Sequence, residues 1–67
     1  MSSLAWAEMI IENWLERNEE FGAKIVVTAR QGEFDFDVED SRGGIDGIRV
    51  EGWEEGVQGV AKIIDGF

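Results

Sequence analysis

Leu4, Ala7, Ile10, Ile11, Trp14, Leu15 and Phe21 fall in one stripe when successive residues are placed about 100° apart. The other side carries Glu8, Glu12 and Glu16, followed by Glu19 and Glu20. The pattern predicts an amphipathic helix capped by Ser2 or Ser3, running to about Glu20 and stopped by Gly22. The apolar stripe should face a core. Met9 sits among the glutamates and Trp6 at the border, so the outer face is acidic with two apolar spots.

From Ala23 the period changes to two. Ile25, Val27 and Ala29 alternate with Lys24, Val26, Thr28 and Arg30, and Glu33 to Glu39 alternate without a break. Gln31-Gly32 between them reads as a two-residue hairpin turn. That turn sets Ala29 opposite Phe34, Val27 opposite Phe36 and Ile25 opposite Val38, and a slip of one residue would send this apolar set to the wrong face. On the reverse face Arg30 falls opposite Glu33 and Lys24 opposite Glu39, while Asp35 meets Thr28 and Asp37 meets Val26. The two central aspartates therefore lack a partner within the hairpin.

Asp40 to Gly47 reads as a glycine-rich loop, and Ile48 to Glu51 as a short third strand whose Arg49 can reach Asp35 or Asp37. Trp53 to Ile64 reads as a second packed amphipathic helix, with Trp14 and Trp53 in the core. Gly56 and Gly59 each cost about 1 kcal/mol there relative to alanine, so close backbone approach to a neighbouring element is expected at both. The predicted fold is α+β: a single αβββα domain over residues 1–67, a three-stranded antiparallel meander with two helices packed on one face.

Length and charge narrow the function. A chain of 67 residues buries only about 60% of its unfolded surface, so one thin core is all it can build. With no cysteine and no histidine there is no disulfide, thiolate nucleophile or imidazole metal ligand, and the serines have no histidine base. Asp35, Asp37, Glu39, Ser41, Gly43 and Asp46 imitate the spacing of a calcium loop, but Asp40 stands where the turn glycine belongs. Gly43-Gly44 matches no phosphate-binding spacing. The carboxylates lie on a strand face with no predicted cleft, so no enzyme activity, metal or cofactor is expected. No apolar run approaches the roughly 20 residues of a membrane span and no basic residue precedes Glu8, which predicts a cytoplasmic protein.

Fifteen acids against six bases give a net charge of −9. Such a field repels nucleic acid and anionic lipid and attracts basic protein surfaces. Glu8, Glu12 and Glu16 are like charges four apart, each pair costing about 0.2–0.5 kcal/mol at low salt, and they form a regular anionic row. Candidate partner-binding residues are Glu33, Asp35, Asp37 and Glu39 on the sheet, or Glu8, Glu12 and Glu16 on the helix with Trp6 and Met9 as apolar anchors. A second reading is an adaptor or self-associating domain, compatible with a homodimer, whose acidity suits a salt-adapted cytoplasm.

The αβββα order resembles a double-stranded RNA-binding domain in topology, but Glu54 and Glu55 stand where that family begins its last helix with lysines. In size, charge and element order the whole chain resembles the small acidic phage inhibitors, especially anti-CRISPR proteins of αβββα type. That resemblance implies a nucleic-acid mimic in the host cytoplasm, its carboxylates occupying the cationic groove of a nuclease or CRISPR effector complex.

Overall fold

Gln31 and Gly32 turn the chain between β1 (Lys24–Arg30) and β2 (Glu33–Asp40), with Gly32 at a left-handed φ of 71°. The computed structural model describes residues 3–67 and shows the expected register throughout this hairpin, with Ala29, Val27 and Ile25 opposite Phe34, Phe36 and Val38. The third strand, β3 (Gly43–Val50), pairs antiparallel with the other edge of β2, giving the order β1-β2-β3.

β3 is longer than expected. The segment from Asp40 to Gly47 is not a loop but the end of β2, a tight turn at Ser41 and Arg42, and the first half of β3. Two local features explain this. The Asp40 carboxylate accepts the Arg42 backbone N–H at 2.8 Å and its guanidinium at 2.8 Å, which closes the turn. The register then steps from Glu39 opposite Gly44 to Val38 opposite Asp46, so a bulge absorbs Ile45 and lets pairing continue.

The first helix, α1 (Ser3–Arg17), ends three residues before Glu20. Asn18 stops it: its Nδ2 donates to the Trp14 carbonyl at 2.8 Å, while Phe21 and Ala23 donate backbone N–H groups to the Asn18 carbonyl. One 3-10 turn, Glu19–Phe21, follows, and Gly22 closes it at a left-handed φ of 74°. The tighter winding takes Phe21 out of phase with the helical stripe. It is 59% exposed, not part of the core. The cap expected at Ser2 lies outside the described residues, as does the side chain of Ser3.

The second helix, α2 (Trp53–Asp65), buries Val57, Val60, Ala61 and Ile64. With Ala7, Trp14, Phe36 and Val38 they form the hydrophobic core. Trp53 is a second departure from expectation, being 52% exposed. It occupies the first position of α2, where its ring lies edge-on to Phe34 at 5.8 Å and against Phe36 at 5.2 Å instead of beneath the helix.

Both helices lie over the apolar sheet face, but they cover it unequally. α2 packs on β2 and β3, and α1 packs chiefly on α2. The apolar side of β1 is left partly open, with Ile25 half-buried and Val27 and Ala29 exposed. Close approach of α2 depends on its glycines. A Cβ at Gly56 would overlap the Phe36 ring, and one at Gly59 would meet the Ile48 Cδ1. Gly56→Ala gains about 1 kcal/mol of helix propensity, yet overpacking a filled site costs about 1–3 kcal/mol. The variant should lose about 1 kcal/mol net and melt about 4–8 °C lower. A thermal melt that rises instead would mean the ring yields freely.

Candidate protein-interaction site

The outer sheet face is where the alternation of β2 displays Glu33, Asp35, Asp37 and Glu39. Cations meet most of them. Arg49, opposite Asp35, donates its Nε to Asp35 Oδ1 at 2.7 Å and lies 3.4 Å from Glu33 Oε2. Arg30 faces Glu33 in register but leans diagonally, placing its Nε 2.9 Å from Asp35 Oδ2. Lys24 reaches Glu39 at 3.8 Å. Asp35, expected to lack a partner within the hairpin but to lie within reach of Arg49, is thus the most heavily paired carboxylate on the sheet. Of these four, only Asp37 has no ion pair among the described residues; it lies opposite Val26 and Gly47, with its Oδ1 2.6 Å from where a Gly47 Cβ would stand. Three cations against four carboxylates leave this face close to neutral.

The Arg49 hydrogen bond, helped by the charges of Arg49 and Arg30, holds the Asp35 carboxyl below the ordinary aspartate range, and partial desolvation opposes it. Because the folded value is the lower one, the clamp contributes stability above the unfolded value of about 3.9 and loses it as pH falls through the folded value. Arg49→Ala should raise the Asp35 titration midpoint back towards the ordinary aspartate range, read from its side-chain carboxyl carbon by NMR. A midpoint that stays put would assign the shift to Arg30 alone.

The helix presents a different picture. Glu8, Glu12 and Glu16 are exposed along α1, and none makes an ion pair among the described residues. The nearest cation in sequence, Arg17, points its Nε at the Asn13 carbonyl of the same helix, 3.2 Å away. Glu19 and Glu20 continue the acidity into the 3-10 turn. Most of the carboxylates with no ion pair among the described residues are therefore on α1, in the 3-10 turn and around the start of α2, at Glu51, Glu54 and Glu55.

The row also borders a groove. Between α1 and β1 lies an open, mostly apolar space of about 320 Å³, floored by Ile11, Leu15, Ile25, Val27 and Phe36, with Trp53 on its lining and Glu8 and Glu12 on its rim. Of the two anchors expected from sequence, Met9 is 51% exposed, whereas Trp6 is half-buried against the core. Trp6 lies roughly 120° round the helix from Glu12, so it does not join the row. The exposed aromatic beside the acids is Trp53. Helical periodicity assigned it to the core, and only its position at the first turn of α2 hinted otherwise.

A larger pocket of about 620 Å³ lies near Phe67, lined by Trp14, Phe21, Asp40, Arg42 and Ile45 among others. Its carboxylate is already occupied, Asp40 being paired with Arg42 at 2.8 Å. Among the described residues no group of three or more acids converges as a metal site would require, and no helix is long and apolar enough to cross a membrane. The fold and these surfaces define a small acidic α+β protein. Comparison with family models, with curated proteins and with solved structures returned no match.

Proposed function

We propose that this protein is a non-enzymatic inhibitor that mimics nucleic acid, laying the carboxylate row of α1 into a basic DNA- or RNA-binding groove of a host nuclease or CRISPR effector complex. The observation that carries the reading is the row itself: Glu8, Glu12 and Glu16 stay exposed and make no ion pair among the described residues, although the chain has arginines that pair elsewhere. A row of carboxylates four residues apart rises about 6 Å per charge, against about 3.4 Å per phosphate along one DNA strand. It can therefore meet about every second arginine or lysine of a site that tracks phosphates, by the charge-assisted hydrogen bonds those side chains make to oxyanions.

The near-neutral sheet face supports assigning this role to the helix. Its acids Glu33, Asp35 and Glu39 would first have to release Arg49, Arg30 and Lys24. The testing experiment is displacement: the protein should release labelled DNA from its basic partner, and partner affinity should fall steeply as salt rises. Binding that is indifferent to salt and leaves the DNA in place would return the acidity to a solvation role.

A further inference from the structure

We propose that the open edge of β1 and the groove beside it form a second binding site, which takes an extended basic-apolar segment of a partner protein as a fourth strand. An exposed strand edge is a template for pairing, and folded proteins ordinarily blunt it with proline, bulges or inward-pointing charges. β1 has none of these. Its seven residues, Lys24–Arg30, contain no proline, and its ladder to β2 runs without a register shift. Its inward side chains are Ile25, Val27 and Ala29. Even its two cations point away from the edge, Lys24 to Glu39 and Arg30 to Asp35 on β2. The opposite edge is different, since β3 carries the bulge and three glycines.

A strand added to β1 would place alternate side chains over the groove floor of Ile11, Leu15 and Phe36. A basic residue at one end of that inward set would meet Glu8 and Glu12, about 6 Å apart on the rim. Charge decides the occupant. A second copy paired edge to edge would bring two chains of net charge −9 together with their α1 rows near the seam, whereas a basic segment is attracted. Its inward residues must be small or medium apolar groups, because the groove is about 320 Å³ in volume.

The probe is a capped nine-residue peptide in which threonine alternates with an inward set of arginine, three valines and lysine. On titration into the labelled protein, amide shifts should concentrate on residues 24–30 and on the Trp53 indole N–H. Methylating the row of peptide nitrogens that faces β1 removes the donors to it and should weaken binding at least tenfold without altering the protein. Val27→Lys puts a charge into the groove at a side chain already 37% exposed, and should weaken it equally. Glu8→Gln with Glu12→Gln should weaken it severalfold, in a salt-dependent way.

The inference shares only Glu8 and Glu12 with the proposed inhibition, and the two can fail separately. Val27→Lys leaves the carboxylate row whole, so DNA displacement should persist while peptide binding is lost. Equal binding by the methylated peptide, or shifts confined to the outer sheet face, would overturn the proposal. So would a dimer in solution whose β1 amides are protected from hydrogen exchange.

Discussion

Phe36→Ala should remove about half or more of the protein's folding stability. The side chain is 2% exposed at the middle of the central strand, with Val27 and Ile48 opposite it on either side. Its ring lies 5.2 Å from Trp53 and 6.3 Å from Phe34, and it occupies the space against Gly56 that a methyl group would need. Removing a buried phenylalanine costs about 3–5 kcal/mol, while a chain of this length has a total stability of about 3–10 kcal/mol. Urea denaturation with a tryptophan signal would measure the loss. The same ring couples to Gly56. In a Phe36→Leu background the penalty for Gly56→Ala should shrink, because the overlapping ring is gone, and a double-mutant cycle should return a coupling of about 0.5–3 kcal/mol. Additive effects would mean that α2 shifts away from the sheet instead of pressing on the ring.

Replacing Glu8, Glu12 and Glu16 together by glutamine should move stability and binding in opposite directions. Two like-charge pairs four apart disappear from α1, which should stabilise the fold by about 0.4–1 kcal/mol at low salt. Affinity for a basic nucleic-acid-binding partner should fall on the order of a hundredfold or more, since each lost tenfold corresponds to about 1.4 kcal/mol and desolvated charge pairs couple by at least that much. Asp37→Asn is the control on the outer sheet face, where Glu33, Asp35 and Glu39 are already paired, and should change affinity less than about threefold. Calorimetric titration of the partner alongside a thermal melt of each variant would test both halves. If Asp37→Asn matched the triple replacement, the sheet would be the binding surface. A triple variant with unaltered affinity would remove the helix from consideration.

The hairpin was legible because its information is local. A two-residue turn and a period of two leave one register in which Ala29, Val27 and Ile25 all meet apolar partners, and any slip exposes them. The αβββα order and the place of Gly22 at the end of the first helical segment followed from the same kind of short-range pattern. The limits of the elements were less legible. Asn18 ended α1 early through a side-chain bond to the Trp14 carbonyl, and the Asp40 to Arg42 turn with its bulge made strand from glycine-rich sequence. Each depends on a few hydrogen bonds centred on one side chain, Asn18 or Asp40.

Arg49 was within reach of Asp35 or Asp37 by sequence, but the choice of Asp35 came from β3 pairing in a register that sets the two opposite each other. That choice, with Arg30 leaning the same way, neutralised the sheet face and left the carboxylate row on α1 as the main uncompensated charge. By itself the sequence determined which residues are apolar on each element and that the chain is strongly acidic. Only the tertiary structure decided that α1 rests on α2 and leaves β1 open, that Trp53 stays half in solvent, and that Glu8 and Glu12 overhang a groove. Periodicity specifies the face an element buries but not which neighbour covers it, because that depends on how closely backbones approach, and here the glycines of α2 bring that helix onto β2 and β3.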